Sequence, residues 1–377
     1  MYKEKIVNYK NIFSFWNYFD SEDKFLFYNC KNKEILMGFK KLRNVENYYD
    51  FNKYKFIFSV KTFFDEVKSG IWDGFKSENI AFTYYLKIKD DKQILYYCGE
   101  DIEVADLDFS NKDRYIYEKN KDDYLSWKQL FNNVHNKITN GEIKKIVISR
   151  EVEFNLSKEV REEVIIRRLL KENNNDFVFA YSKDNKCFLG ATPEVLVEKR
   201  KNKVISHAVA GTLIKDNVSS AEMLLKDKKN CYEQGIVVDH IRNILNENGK
   251  NLRVSEREVI ETKNLYHLHT TLSVESDENI IEWRNRLHPT AAIGGMPRNK
   301  SLKILNENEN HERGLYSSPI GIISDDGDGI FIVALRSGLL CKDKLYAYAG
   351  CGIVDDSECK KEYLETAGKM QTILQCL

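Results

Sequence analysis

The chain has 377 residues, and its 58 Lys and Arg side chains are matched by 58 Asp and Glu side chains. A zero net charge lacks the basic excess that binding to nucleic acid or to a membrane surface requires, so neither partner is expected. A hydrophobic fraction of 42% with a charged fraction of 31% is typical of a folded protein with a large core. Charges interrupt the first apolar segment, and no later stretch approaches the roughly 20 apolar residues that span a bilayer.

Cysteine usage favours a reducing compartment. Eight cysteines are scattered along the chain, with no CxxC pair and no spacing typical of metal ligands. We therefore expect reduced, mostly buried thiols and a cytoplasmic location.

Residues 1–118 are predicted to form the first portion of the fold. Short aromatic-rich strands alternate there with charged turns, at residues 25–28, 54–60, 80–88 and 93–98. The polar stretch 111–123 marks the seam before residues 119–377. All candidate chemistry lies after that seam.

Residues 119–377 mix helices and strands. A helix over 124–139 and a strand over 143–154 are followed by a meander of short strands, and two helices are predicted within 219–247. After a second meander the chain ends in a helix, capped by Ser357 and running to Leu374. Strands and helices without strict alternation predict an α+β fold with mainly antiparallel sheets.

Three side chains of the terminal helix share one face. Glu362, Glu365 and Lys369 are spaced by three and four residues, so they could hold a hard cation and an anionic substrate. A solvated face with an ordinary ion pair has the same spacing, and on spacing alone we favour it by roughly four to one. Glu233, near the start of an earlier predicted helix, has the same two interpretations.

The strand over 143–154 offers a candidate base. Lys144 and Lys145 lie among apolar residues on opposite faces of this strand. Desolvation disfavours the charged form of an amine, so a lysine here could act as a general base. A lysine whose stem packs while its head reaches water is commoner. The alternation of faces does not choose between the two lysines.

Two further charged residues stand in unusual places. Glu194 follows a Gly-Ala-Thr-Pro corner that could aim its side chain, although a polar turn residue would look the same. Arg336 interrupts an apolar strand and, if buried, needs an anion, which a substrate carboxylate or a structural salt bridge would supply. His267 and His269 would project from one strand face, but with no third ligand nearby we favour structural roles for both.

Taken in order, these features resemble the chorismate-utilising enzymes, which include anthranilate synthase large subunits, aminodeoxychorismate synthases, salicylate synthases and isochorismate synthases. The resemblance extends over residues 140–377. The segments that carry it are KIVISR (145–150), FLGATPEVL (188–196), AVAGT (208–212), YEQGIVVDHI (232–241), HLHT (267–270), LHPTAAIGGMP (287–297), ERGLYSSPIG (312–321), ALRSG (334–338), AGCGIV (349–354) and EYLETAGK (362–369).

Within that family the chain is most similar to isochorismate synthases of the menaquinone type. Lys145 stands where members that use water carry a basic lysine and amine-transferring members do not. Segments 287–297 and 312–321 also match the isochorismate synthase pattern. One departure is Leu213, which follows Thr212 where many relatives have an arginine.

The resemblance implies a fold and a reaction. The fold would be the large mixed α/β fold of anthranilate synthase, with two mainly antiparallel sheets and helices outside. The enzyme would be an isomerase that converts chorismate to isochorismate, by attack of water at ring C2 and loss of the C4 hydroxyl. Lys145 would be the general base and Glu194 the general acid.

The resemblance also implies a cofactor and a binding site. Magnesium would be held by Glu233 and Glu365, with Glu362 close by or acting through a water. Chorismate would be the small-molecule partner, and no glutaminase subunit is expected. Substrate binding is implied for Arg336, Lys369, Gly352, Thr270, Tyr316, Gly211 and Thr212. The alternatives are a salicylate synthase, which goes on to eliminate pyruvate, and a non-catalytic chorismate-binding relative.

Overall fold

The structure is a computed structural model that describes residues 1–67, 70–107, 114–121, 123–215, 220–262 and 265–377. Parts of the predicted seam, and the first residue of the predicted helical window 219–247, lie outside these ranges. None of the helices in the described ranges is long and apolar enough to cross a membrane.

Eight α-helices and a 3₁₀ helix at Tyr48–Lys53 occur in the described residues. The α-helices are α1 (Phe13–Tyr18), α2 (Tyr124–Thr139), α3 (Glu162–Glu172), α4 (Ala221–Lys226), α5 (Lys228–Asn248), α6 (Ile280–Leu287), α7 (Arg298–Asn308) and α8 (Cys359–Leu374). The strands are β1 (Lys3–Val7), β2 (Lys24–Asn29), β3 (Glu34–Asn44), β4 (Phe56–Val60), β5 (Glu78–Lys89), β6 (Lys92–Tyr97), β7 (Tyr117–Lys119), β8 (Lys145–Leu156), β9 (Phe177–Lys183), β10 (Lys186–Thr192), β11 (Val195–Arg200), β12 (Lys203–Ile214), β13 (Lys250–Val254), β14 (Glu258–Glu261), β15 (Leu265–Glu275), β16 (Gly295–Met296), β17 (Pro319–Ser324), β18 (Gly329–Val333), β19 (Ser337–Cys341) and β20 (Lys344–Ile353).

The strands pair antiparallel in two runs. The first run is β1–β6–β5–β3–β2–β9–β10–β19–β20–β8, with β7 and β16 on the free side of β8. The second run is β4–β17–β18–β11–β12–β15, with β13 and β14 along β15. The predicted arrangement of two antiparallel sheets with helices outside is confirmed. The structure adds that β5 joins the runs, because its first residues pair with β4.

An aromatic core fills the space between the two runs. Phe25 of β2 and Phe58 of β4 come from different runs, and their rings stack with centroids 4.3 Å apart. The aromatic richness of residues 1–118 therefore has a structural purpose, because large rings supply much of the buried apolar area between the sheets. Outside the runs, α1, α3 and α8 cover one core and α2, α5, α6 and α7 cover another.

The first portion of the chain is built into the centre of the fold. Strand β2 lies between β3 and β9, and β4 pairs with β17. The division after residue 118 falls within β7, which pairs with β8. The division of the chain at this position stays a prediction.

The predicted boundaries of two helices can be compared with those observed. Helix α2 has the predicted range, since its apolar residues recur at helical spacing up to Ile138. The predicted cap of the terminal helix is wrong. Glu358, not Ser357, is the N-cap of α8, and the Ser357 hydroxyl instead accepts a hydrogen bond from the Val354 amide in the preceding turn.

Candidate active site

A cavity lies where β8, β20, α5 and α8 meet the corner between β10 and β11. We call it the central cavity. Nine of the predicted site residues line it: Glu194, Gly211, Thr212, Glu233, Tyr316, Arg336, Gly352, Glu365 and Lys369. Lys145, Glu362 and Thr270 lie behind its wall.

The structure decides between the two lysines of the β8 region. Lys144 precedes the strand and is exposed, whereas the Lys145 side chain is completely buried. The Lys145 ammonium lies 2.9 Å from Glu233 Oε1. Nevertheless, Lys145 Nζ makes no hydrogen bond of acceptable geometry with any described residue. A buried amine with a single carboxylate beside it is therefore held next to the cavity.

Glu194 is fixed by its backbone at the corner after β10. Its amide donates to Thr192 Oγ1 at 3.2 Å, and its carbonyl accepts from the Val333 amide at 3.0 Å. Burial raises the pKa of the Glu194 carboxyl to about 7, against the opposing effect of the positive charges of Lys145, Lys369 and Arg336. This carboxyl can therefore hold a proton near neutral pH.

Arg336 is aimed into the cavity by an unusual backbone. Its φ is +50°, a left-handed conformation that non-glycine residues adopt only where the surroundings enforce it. The guanidinium donates from NH2 to His267 Nε2 at 2.5 Å and lies 3.4 Å from Asp176 Oδ2 through NH1. The buried arginine thus has one carboxylate partner at long range, so part of its donor capacity faces the cavity.

His267 is a cavity residue that the sequence analysis assigned only a structural role. Because a guanidinium cannot accept, Nε2 must accept from Arg336, which leaves the ring proton on Nδ1 to be donated to Thr212 Oγ1 at 3.1 Å. Burial lowers the pKa of His267 well below its usual value, so the ring is neutral. The HLHT segment already contained this residue, but only the pairing of β12 with β15 shows its partner.

Three carboxylates at the cavity each have a lysine partner. The Lys145–Glu233, Lys229–Glu362 and Lys369–Glu365 pairs measure 2.9, 2.5 and 2.7 Å. Lys369 also donates to the Gly350 carbonyl at 2.9 Å. Lys229 escaped the sequence analysis, because nothing in its local pattern distinguishes it from the neighbouring lysines of α5.

The carboxylates are close enough to interact. Burial, followed by the charge of Glu365, raises the pKa of Glu362, and Glu233 adds to the effect. The described residues contain no group of three or more His, Cys, Asp or Glu side chains arranged to hold a metal ion. Two carboxylates facing a cavity nevertheless fit the donor set of magnesium, which takes one or two protein carboxylates and completes its shell with substrate and water.

Two glycines make close approaches possible. Gly211 adopts φ +75° at a bulge in β12, which turns the Thr212 amide towards Asn230 Oδ1 at 3.1 Å. A Cβ on Gly352 would stand 2.1 Å from Glu233 Oε1 and 2.8 Å from Lys145 Cε. Only glycine therefore lets β20 pass so close to this ion pair.

Thr270 is not among the residues that line the central cavity, and its substrate contact stays a prediction. Its hydroxyl accepts from Gln234 Nε2 at 2.9 Å behind the cavity wall. Arg313, which the sequence analysis did not single out, lines the cavity and ties its wall together. It donates to the carbonyls of Ile293 and Val147 at 2.9 and 2.6 Å and pairs with Glu309.

Comparison with known proteins places this fold and cavity in a family. A family profile described as chorismate binding enzyme matches residues 76–377. The chain belongs to this family of chorismate-binding enzymes.

Individual relatives agree with that assignment. The chain is 32% identical over 283 residues to isochorismate synthase MenF of Bacillus subtilis, a match that covers 72% of this chain and 59% of the relative, so less than two thirds of the relative's length is spanned. Its fold is similar to that of the menaquinone-specific isochorismate synthase MenF from Escherichia coli, with a TM-score of 0.84 at 20% identity over 100% of this chain and 94% of the other. Anthranilate synthase component I from Streptococcus pneumoniae gives a TM-score of 0.70 at 17% identity, covering 98% of this chain and 92% of the other. The predicted anthranilate synthase-like fold is thereby confirmed.

Proposed function

We propose that this protein is an isochorismate synthase, an isomerase that converts chorismate to isochorismate. The observation that carries the proposal is that two buried groups, Glu194 in the lining and Lys145 directly behind the wall, lie at one cavity. The names of the relatives support the same activity, since several further matches are also isochorismate synthases.

The two residues divide the proton transfers. A water oxygen bonds to ring C2 while Lys145, as the neutral amine, takes a proton from that water. The two ring double bonds shift as the C4–O bond breaks, and Glu194 gives its proton to the C4 hydroxyl, which departs as water. The high pKa of Glu194 suits this role, because the acid must be protonated before the C–O bond breaks.

Cationic and hydroxyl groups suit the two carboxylates of chorismate. Arg336 and Lys369 supply positive charge, and Tyr316, Thr212 and the backbone near Gly352 supply hydrogen-bond donors at the cavity. Since the net charge of the chain is zero, attraction for a dianion must come from this local cluster.

Magnesium is the cofactor that we propose. Glu233 and Glu365 would hold it, and Glu362 would contribute through water, because Glu362 lies behind the wall and pairs with Lys229. When bound, magnesium supplies charge compensation at the ring carboxylate of the substrate. The carboxylates must then exchange their lysine partners for the cation.

The location and partners follow from the same proposal. We place the enzyme in the cytoplasm, supported by eight cysteines that are all free in the described structure. Because the nucleophile that Lys145 deprotonates is water, the enzyme needs no glutaminase partner to supply ammonia.

Product analysis tests the function. Purified protein incubated with chorismate and MgCl₂ should yield isochorismate by chromatography, and EDTA should stop the reaction. Accumulation of pyruvate and fluorescent salicylate would identify a salicylate synthase instead. Chorismate binding by calorimetry without any product would identify a non-catalytic relative.

A further inference from the structure

Asp123 breaks a local rule at the start of α2. It occupies the N-cap position, where an aspartate normally accepts a hydrogen bond from an amide of the first turn, yet its side chain caps nothing. A residue that gives up its usual local bond must gain other partners, and such departures concentrate at functional positions.

The Asp123 carboxylate instead accepts hydrogen bonds from three donors, two of which lie far away in the sequence. Arg150 of β8 donates from NH1 at 2.5 Å, Tyr363 of α8 donates its hydroxyl at 2.9 Å, and Lys119 of β7 donates from Nζ. Arg150 also donates from Nε to Thr366 Oγ1 at 2.8 Å. The Arg150 guanidinium lies 4.1 Å above the centre of the Tyr363 ring. We call Asp123, Arg150, Tyr363 and Thr366 the Asp123 hub.

The hub contacts the first half of α8, where Cys359 and Tyr363 are only partly buried against the core that α2 covers. Met370, Ile373 and Leu374, in the second half of the helix, are buried in a core with α1 and α3. In the first half, Tyr363 and Thr366 turn towards β8 and α2, whereas Glu365 reaches the central cavity. Polar contacts at this end therefore act together with the packing of the Tyr363 ring against α2 in holding the rotation of the helix about its axis.

Both elements joined by the hub carry site residues. Strand β8 bears Lys145, and α8 bears Glu365 and Lys369. Arg150 lies five residues after Lys145 on the same strand. A small rotation of α8 would change the distance between the Glu365 carboxylate and the Lys145–Glu233 pair.

We propose that the Asp123 hub is a positioning network that sets the rotation of α8 and so places Glu365 and Lys369 in the central cavity. None of its residues touches the cavity, so none is a catalytic residue. The kinetic part of this inference rests on the proposed function, whereas its structural part does not.

Tyr363→Phe is the informative variant. It removes one oxygen from the hub and keeps the ring that packs under Arg150. We expect the Michaelis constant for chorismate and the half-saturating MgCl₂ concentration to rise about three- to tenfold, with kcat within about twofold. Tyr84→Phe is the matched control, because it removes a 3.0 Å hydroxyl bond to the Glu100 carbonyl away from the cavity. The Michaelis constant, the half-saturating MgCl₂ concentration and the kcat of Tyr84→Phe should equal those of the wild type.

Hydrogen exchange gives a readout that needs no turnover. In Tyr363→Phe, amides of residues 359–366 should exchange faster, while those of residues 367–374 should not change. Asp123→Asn should also speed amide exchange at residues 359–366, and it provides a second variant if Tyr363→Phe is poorly folded. Unchanged exchange at residues 359–366 in both variants would overturn the hub.

The outcomes separate the two proposals. In Tyr363→Phe, faster amide exchange at residues 359–366 with an unchanged Michaelis constant and an unchanged half-saturating MgCl₂ concentration would show that the hub is only a structural contact. That result would overturn its positioning role. If the wild-type protein makes no isochorismate, the proposed function fails, and the exchange data alone decide whether the hub holds α8.

Discussion

Lys145 and Glu194, the proposed base and acid, have opposite protonation requirements at one buried cavity. The reaction needs an amine without its proton at residue 145 and a carboxyl with its proton at residue 194. Burial raises the pKa of Glu194, which favours the protonated form that the acid needs. Arg336 and Lys369 bring positive charge to the same cavity, which favours the dianionic substrate and restrains the rise in the pKa of Glu194.

Replacing Lys145 tests the base. Lys145→Ala should lower kcat by about 10² to 10⁴, because general-base catalysis contributes that much. Lys144→Ala is the matched control, since it removes the adjacent exposed lysine and should leave kcat unchanged. Initial rates of isochorismate formation at saturating MgCl₂ measure both, and near-wild-type turnover of Lys145→Ala would exclude it as the base.

The protonation of Glu194 predicts a pH dependence of catalysis. Because the acid form is required and its pKa is about 7, kcat/KM should fall as the pH rises through about 7. Glu194→Gln should retain chorismate binding by calorimetry and lose about 10² to 10⁴ in kcat. A kcat/KM profile that is flat between pH 6 and 8, or full activity of the Gln variant, would remove Glu194 from the acid role.

The same group predicts a pH dependence of stability. A pKa raised from its usual 4.5 to about 7 means that the folded state binds more protons than the unfolded state between these pH values. The free energy of unfolding should therefore fall by up to about 3 kcal/mol as the pH rises from 4.5 to 7. Urea unfolding across this range should show a smaller fall in Glu194→Gln, and equal pH slopes for the two proteins would contradict this expectation.

At the scale of single elements, β20 and α8 frame the carboxylates. Strand β20 passes within contact distance of the Lys145–Glu233 pair because residue 352 has no side chain. Helix α8 places Glu365 and Lys369 one turn apart on the face that lines the cavity. The geometry of the candidate cation site thus depends on a glycine in one element and on helix rotation in the other.

Replacing one glycine of β20 and one glycine of α8 by alanine tests how each element shapes the site. Gly352→Ala should force the Glu233 carboxylate to move, destabilise the fold by about 1–3 kcal/mol and lower kcat/KM at least about tenfold. Gly368→Ala is the contrasting variant, because a Cβ there meets nothing within 4 Å, and an alanine within a helix should stabilise by about 0.5–1 kcal/mol. Thermal melts and initial rates would measure both, and unimpaired activity of Gly352→Ala would argue against this account of the site.

At the scale of the whole molecule, the site depends on the first portion of the chain. Strand β2 pairs with β9 and strand β4 pairs with β17 of the later portion, and their rings fill the core between the two runs. A fragment of residues 119–377 would leave this aromatic core open to water. The proposed catalytic residues all lie in that fragment, but β9 and β17 lose their partners β2 and β4 without the first portion.

Expression of residues 119–377 alone tests this dependence. We expect a protein without a cooperative thermal transition and without near-ultraviolet circular dichroism, because it cannot bury the faces of β9 and β17. The full chain under the same conditions is the control. A cooperative melt of the fragment would show that residues 119–377 fold independently.

Local pattern was sufficient for some features and insufficient for others. Helix α2 could be predicted from its apolar spacing, and the collinear motifs indicated Glu194, Glu233, Arg336 and Glu365. Alternation could not choose between Lys144 and Lys145, because burial depends on what packs against each face. The cap of α8 was mispredicted since the Ser357 hydroxyl had a competing amide in the preceding turn.

The sequence by itself determined the family, the α+β class and the residue types of the site, because these are properties of order and spacing along the chain. Only the tertiary structure decided which side chains meet. It paired His267 with Arg336 and Lys229 with Glu362, and it assembled the Asp123 hub from three elements. The physical reason is that burial, ion pairing and hydrogen bonding depend on distances across β-strand pairings and helix packing, which join residues far apart in the chain.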